Sequence, residues 1–365
     1  MSALPIDFVA SGGRELGLGH IVRSARLARE AARRGWSVRG LVEGDAVAHR
    51  VWRETSGFEA RRFTPDSDRF APLVSLDGPY DKRPLLEHLA GLGVRPILID
   101  DERPYAIAPA SPRGWRVLPG LHHARCETSG ATDAQGFALL SGPRYAILSD
   151  AHRAHATPRT GQRNSILVTL GGSDPHRAGP LVGLAARAAV RELARTGSGF
   201  RELQVDVVFG PSFEDPSDRD ASILEASGCR VHRGLDAFGM ADRMRSALLA
   251  IVGFGTSVTE LAWHATPFLT IPHHDRDRGA ARDLASRGFG RTLATARRLN
   301  RSAVSRHILA ALRDETWRTT SATRARDVLD DGDGVARIFA RIETELALRA
   351  PGPRPRHHGA TTPPG

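Results

Sequence analysis

A chain of 365 residues exceeds what one hydrophobic core usually organises, so two domains of ordinary size are the first expectation. Apolar residues make up 41% and charged residues 25%, a globular balance that argues against a disordered or fibrous chain. The net charge of +10 invites a nucleic-acid reading, but the arginines are dispersed, with no long basic block and no stacking aromatics beside them. A substrate carrying a diphosphate also suits a positive cleft.

The longest apolar runs, such as residues 247–252, fall far short of the roughly 20 residues that span a bilayer. The start, Met1-Ser2-Ala3-Leu4-Pro5-Ile6-Asp7, lacks the basic opening and long apolar core of a secretory signal, so the cytoplasm is the expected compartment. Cys126 and Cys229 are too few and too isolated for a disulfide framework or a cysteine zinc site, and both read as ordinary thiols.

In chain order, residues 6–10 form an apolar run of strand length, followed by a turn holding Gly12, Gly13, Gly17 and Gly19. From His20 onward the period becomes helical: Ile21, Ala25, Ala28 and Ala32 recur on one face, and Arg23, Arg26, Arg29 and Arg33 populate the rest. Gly35 fits the helix stop. Residues 37–42 read as the next strand, 85–92 as part of a helix, and 97–99 as a buried strand ending in Asp100-Asp101. Such alternation predicts parallel βαβ units in an α/β fold. Ligands of such sheets lie beyond the carboxyl ends of the strands, so the turn before His20 and the Asp pair belong on one rim.

Residues 151–164 carry no apolar period and read as a linker between a first domain over 1–150 and a second over 165–349. The second half opens as the first does, with a strand over 165–170 running into Gly171-Gly172-Ser173-Asp174-Pro175. Alternation continues through a strand at 203–209, a helix at 237–246, a strand at 248–252 and a helix after Thr256, then a strand at 268–271 and a helix at 278–287. Beyond Asn300 the pattern is helical, with Val335, Ile338, Phe339, Ile342 and Leu346 as an apolar stripe. From residue 350 onward, repeated prolines, histidines and glycines predict a disordered tail.

Three glycine turns carry the chemistry. A glycine turn between strand and helix lets backbone approach a ligand, and the helix N-terminus favours an anion, although such turns also serve packing alone. His20 falls in the first helical turn, where the dipole favours a neutral imidazole that can act as a general base; capping or packing is the plain alternative. Gly171-Gly172-Ser173 is a second phosphate cradle, and Gly253-Phe254-Gly255-Thr256-Ser257 a third, in which Thr256 and Ser257 can cap a helix. Glu260, one turn further, can accept both hydroxyls of a ribose or simply complement the helix dipole. Together the three turns point to a diphosphate held between two domains. His273-His274-Asp275 makes a poor metal site, because adjacent side chains on an extended segment point to opposite sides.

These blocks resemble the bacterial UDP-sugar hydrolases of pseudaminic acid biosynthesis, a family that includes spore-coat polysaccharide biosynthesis proteins. The shared features are Gly17-x-Gly19-His20-x-x-Arg23, Ile99-Asp100, Gly142-Pro143-x-Tyr145-Ala146-Ile147-Leu148, Leu170-Gly171-Gly172-Ser173-Asp174-Pro175 and Gly255-Thr256-Ser257-x-x-Glu260 followed by Pro267. The resemblance implies two facing Rossmann-like domains with a cleft between them, the GT-B-like arrangement of two-domain glycosyltransferases. It implies that Gly17, Gly19, Arg23, Asp100 and Tyr145 face the sugar. By the same likeness Gly171, Gly172, Ser173, Gly255, Thr256, Ser257 and Glu260 hold the nucleotide. His20 would then activate water to release UDP from a UDP-linked diacetamido-trideoxyhexose, with no metal or other cofactor. Two segments depart from the family: Ser149-Asp150-Ala151-His152, where relatives carry an Arg with acidic and aromatic neighbours, and His273-His274, where many carry Asn-Gln. A glycosyltransferase, or a binding protein that has lost catalysis, shares nearly every one of these features.

Overall fold

The structure, a computed structural model, describes residues 3–64, 69–100, 102–103, 105, 114–123, 131–155, 163–196 and 203–349. The first half runs β1 (Pro5–Gly12), α1 (Gly19–Arg33), β2 (Ser37–Gly44), α2 (Ala46–Ser56), β3 (Ala60–Arg62), β4 (Leu73–Asp77), α3 (Arg83–Gly91), β5 (Arg95–Ile99), β6 (Trp115–Leu118), β7 (Ala138–Ser141) and α4 (Asp150–Arg153). Its strands form one parallel sheet in the order β3-β2-β1-β4-β5-β6-β7.

The second half runs β8 (Ser165–Thr169), α5 (Ala178–Arg195), β9 (Gln204–Phe209), α6 (Arg219–Ala226), β10 (Arg230–Arg233), α7 (Ala237–Ser246), β11 (Ala247–Gly253) and α8 (Thr256–Trp263). It continues with β12 (Phe268–Ile271), α9 (Arg278–Ser286), β13 (Arg291–Thr292), α10 (Arg301–Arg313), α11 (Glu315–Asp327) and α12 (Gly334–Arg349). These strands are again all parallel, in the order β10-β9-β8-β11-β12-β13.

Both sheets are covered on two faces, which parallel strands require and which their apolar runs supply. On the first sheet Ile6, Phe8 and Ala10 pack with Ile21, Ala25 and Ala28 of α1. The alternate residue Val9 joins Val74, Leu76 and Leu98 beneath Leu85, Leu86 and Leu89 of α3. On the second, Ile166 and Val168 face α5 and α10, while Leu167, Ala250 and Val252 face α8 and the end of α11. Burial on the order of 1.5–3 kcal/mol for each large apolar side chain makes these faces the main source of stability.

Two features join the halves. Residues 145–148 alternate between cores: Tyr145 and Ile147 enter the first, Ala146 and Leu148 the second. Tyr145 ends a short 3-10 turn and Ala146 leaves it at φ −55°, ψ 135°, and the side chains that follow alternate between the two cores, so this stretch is a strap between domains. The second feature is α12, which the sequence reading places with the second domain over 165–349. Ile338, Phe339 and Ile342 of α12 are buried in the first domain's core, with Phe339 edge-on to Trp36 at 5.2 Å between ring centroids. The apolar stripe was legible; which core it fills was not, because periodicity names a face and not its partner. The predicted tail from residue 350, Cys126 and residues 156–162 of the predicted linker lie outside the described residues. Cys229 is buried, and that burial pushes its thiol up to about 11, as suits an inert packing residue.

Candidate functional site

In both sheets the strand order reverses at the first strand, β1 beside β4 and β8 beside β11, which opens a crevice at the carboxyl ends. At the first crevice the chain leaves β1 through a turn closed by Gly13 N–H to Gly17 O (2.9 Å) and Gly17 N–H to Gly13 O (2.8 Å). Gly13 and Gly17 sit at φ +137° and +80°, backbone that glycine adopts without a Cβ penalty. The turn delivers α1 with His20 as its second residue.

Asp77, the last residue of β4, lies directly beneath that helix start and is fully buried. Its Oδ1 is 2.7 Å from His20 Nδ1. Arg23 Nε donates to Asp77 Oδ2 (2.8 Å), Nη2 to Oδ1 (2.7 Å), and Nη1 to Asp100 Oδ2 (2.6 Å). Burial alone would raise the Asp77 carboxyl, but Arg23 and then His20 outweigh it and hold the group well below the usual carboxylate range. Burial lowers Arg23, and the two carboxylates more than reverse that, so the guanidinium stays charged. An ionised Asp77 can only accept, so His20 Nδ1 carries a proton toward it, and in the neutral ring the lone pair is then on Nε2. The His20 side chain retains 26% exposure. The pair therefore has the form of an oriented general base.

The second domain contributes backbone rather than charge. Gly171 turns at φ +87° after β8. Asp174 accepts from Ala178 N–H (3.0 Å) and Gly179 N–H (2.7 Å), so the start of α5 is already satisfied. α8 differs: its N-cap is Gly255 with no side-chain cap, and Thr256 and Ser257 are its first two residues. The expected capping by those hydroxyls is not made; Val258 N–H turns back to the Gly255 carbonyl (3.2 Å), which leaves the N–H groups of Thr256 and Ser257 to meet an anion.

The turns of the two domains face each other at close range. A Cβ built on Gly17 would lie 3.9 Å from Ser173 Oγ, one on Gly19 4.0 Å from Thr256 Cγ2, and one on Gly172 2.9 Å from Leu18 Cβ. Behind them Arg26 of α1 reaches across to Glu260 Oε1 (2.8 Å) and to the Ile147 carbonyl (3.1 Å). His152 Nε2 stands 3.3 Å from the same Glu260 oxygen, His152 Nδ1 is 3.0 Å from His264 Nε2, and Trp263 Nε1 donates to the His152 carbonyl (2.8 Å). Burial would raise Glu260, but His152 and Arg26 hold it well below its ordinary range.

The expected residues thus fall into groups. His20, Arg23 and Asp100 are brought together on one rim, and Gly17, Gly19, Gly172, Ser173 and Thr256 meet across the cleft. Arg23 departs from its expected contact with sugar: it is 6% exposed and fully engaged in holding Asp77 and Asp100. Tyr145 departs as well, being 4% exposed in the first core as part of the strap. Glu260 bridges the domains. Segment 149–152, which differs from the resembling family, supplies that bridge through His152, and Asp150 pairs with Arg33 at 2.7 Å. His273 Nε2 bonds the Leu170 carbonyl at 2.7 Å, a structural tie behind the second turn.

Asp77 is the residue of the candidate site that sequence reading missed. Its signal was present: Leu73-Val74-Ser75-Leu76 is a four-residue apolar-rich run ended by Asp77-Gly78-Pro79, a strand followed by turn residues.

No protein-family model matches the chain, and no curated protein sequence matches it. Solved structures do. LpCGTa in complex with UDP aligns at 14% identity over 95% of this chain and 100% of that one, with a TM-score of 0.63. MurG of Acinetobacter baumannii aligns at 13% identity over 93% and 100%, with a TM-score of 0.58. The UDP-GlcNAc 2-epimerase of Neisseria meningitidis bound to UDP-GlcNAc aligns at 11% identity over 93% and 100%, with a TM-score of 0.59. At such identities the likeness is one of fold: the chain has the α/β, GT-B-like architecture of two facing Rossmann-like domains, as the sequence led one to expect.

Proposed function

We propose that the chain is a cytoplasmic sugar-nucleotide hydrolase that releases UDP from a UDP-linked amino sugar of the diacetamido-trideoxyhexose type. The observation that carries the reading is the His20–Asp77 pair, aimed from the first domain at a cleft whose far wall is built of glycine turns. His20 Nε2 takes a proton from water as the water oxygen bonds the anomeric carbon. The bond from that carbon to the diphosphate oxygen breaks, and UDP departs. Asp77 stabilises the imidazolium formed in that step and fixes the ring's tautomer. The uncapped start of α8 and the Gly171-Gly172-Ser173 backbone meet the diphosphate charge.

That two of the structural neighbours carry UDP or UDP-GlcNAc supports the choice of nucleotide. The near contact of Gly17 with Ser173 and of Gly19 with Thr256 supports water over a bulky acceptor, because an acceptor needs an open groove beside His20. Incubation with UDP-linked amino sugars and no acceptor should yield UDP and free sugar in equal amounts. Release that occurs only when an acceptor is added overturns hydrolysis in favour of transfer, and UDP binding without turnover on any sugar leaves a binding protein.

A further inference from the structure

A pair of adjacent histidines that the reaction above does not use lies on the same rim. Residues Leu121–His123 form a single 3-10 turn after β6, anchored by Leu121, which is 1% exposed in the second domain's core. The turn sets the rings of His122 and His123 side by side, centroids 3.9 Å apart and planes tilted by 43°, both beside the residues that leave β5. One ligand atom each from Asp100, His122 and His123 can be chosen so that all lie within 4.8 Å of one another. His123 Nε2 is 4.0 Å from Asp100 Oδ1 and 3.0 Å from Glu102 Oε1, and His122 Nε2 is 3.7 Å from that same Glu102 oxygen.

Among the described residues this is the one group of three such side chains whose ligand atoms lie so close, and two further observations bear on it. His123 is 5% exposed, and its buried Nε2 makes no hydrogen bond of acceptable direction, although Glu102 stands close. A buried ring nitrogen left in that state is costly, and a metal ion satisfies it. Asp100 is also pre-set: Arg23 holds Oδ2, which leaves Oδ1 toward His123. Ligands about 2.0–2.1 Å from one tetrahedral ion stand roughly 3.3 Å apart; His123 and Asp100 are 4.0 Å apart, the three ligand atoms lie within 4.8 Å of one another, and small side-chain rotations close the set. His264 and His273 also bury one unpartnered nitrogen each, but their other nitrogens are tied to His152 and to the Leu170 carbonyl, and neither belongs to such a three-ligand group.

We propose that Asp100, His122 and His123 form a binding site for a divalent first-row transition ion of the zinc type, with Glu102 or water completing its shell. Imidazole and carboxylate donors suit such an ion, and three protein ligands leave a position open. That position borders the cleft, because the His122 ring lies 5.7 Å from the ring of Phe254 in the turn before α8. Through Asp100 and Arg23 the ion is linked to Asp77, so the site belongs to the first domain's rim and not to the phosphate-holding turns. The proposal stands whether the enzyme hydrolyses, transfers or only binds.

The test uses untagged, full-length protein stripped of metal with a chelator. Titration with Co2+ should give one equivalent bound, with the visible absorption of a low-symmetry nitrogen and oxygen site, and Zn2+ should displace it. His122→Ala and, separately, His123→Ala should each weaken Zn2+ binding by more than about tenfold in calorimetry. His273→Ala, and a variant with both His357→Ala and His358→Ala, should bind as the parent does. His122 is the less buried ligand, so its variant carries the test if His123→Ala fails to fold. Absence of one-to-one binding, binding that survives His122→Ala, or binding that follows His273 or the tail histidines overturns the site.

Discussion

The two domains open alike, each with a parallel strand, a glycine turn and a helix, yet they load the turn differently. In the first, four charged or titratable side chains converge: His20 and Arg23 from α1, Asp77 from β4 and Asp100 after β5. In the second, the rim offers backbone, since Asp174 is spent on α5 and Glu260 on the bridge to Arg26. Backbone N–H groups bind an oxyanion without ever taking its proton, whereas a buried carboxylate on an imidazole sets up proton transfer. On the proposed function, two near-identical supersecondary units divide holding from reacting.

The largest effect that can break this division is at His20. His20→Ala should lower UDP release by about 10²–10⁴-fold while leaving UDP affinity within roughly twofold, measured by turnover and by calorimetry on the same preparation. Parallel loss of both would make His20 a structural residue. Asp77→Asn comes next. It keeps the shape but cannot stabilise an imidazolium, so kcat should fall by about 10²–10³-fold with KM little changed. The variant also leaves Arg23 with one carboxylate, so its Tm should drop as well. A variant that loses stability but keeps kcat would reduce Asp77 to an anchor for Arg23.

Glu260 sharpens the comparison from the other side. If it grips a ribose, Glu260→Gln should weaken UDP binding by about tenfold, near 1.4 kcal/mol, and leave kcat at saturating substrate within a few fold. A fall in Tm with unchanged UDP affinity would instead make the carboxylate purely the partner of Arg26 and His152.

How far these sites were legible depends on what kind of information each carries. Strands such as Phe268–Ile271 and the helix Ala237–Ser246 coincide with the pattern because local periodicity dictates them. The rim shared by His20 and Asp100 was legible from topology, since parallel strands bring their carboxyl ends together. The partners of those side chains were not. Arg23 reads as a cleft residue until Asp77 and Asp100 are seen to consume its donors, and these lie 54 and 77 positions away in sequence. Tyr145 carries the mark of a motif residue, yet the alternation of 145–148 shows that the motif straps two cores together. The pair His122-His123 escaped notice because a 3-10 turn follows neither helix nor strand spacing.

A smaller effect concerns the bridge rather than either turn. Burial, with His152 beside it, lowers His264 to about 3 from an ordinary 6.5, although Glu260 pulls the other way. Between those values the unfolded chain takes up a proton at this position that the folded chain refuses, so stability is present above about pH 6.5 and declines as pH falls. His264→Asn removes that titration and should flatten the dependence of Tm on pH between about 6.5 and 4. An unchanged slope would assign the acid lability to other groups, His123 first, whose burial beside His122 lowers it to about 4.

The smallest effect is expected at Tyr145, where the comparison is most easily misread. A strap residue is needed for the relation between the domains, not for contact with a ligand, so Tyr145→Phe should keep both kcat and KM within about twofold. The ring that fills the first core is retained, and only the hydroxyl is lost, at about 1 kcal/mol if its hydrogen bond matters. Tyr145→Ala, in contrast, opens a cavity worth about 3–5 kcal/mol at the point where Ala146 enters the other core. If Tyr145→Phe raised KM several-fold with Tm unchanged, the hydroxyl would have to reach the sugar, and the strap would count as part of the cleft.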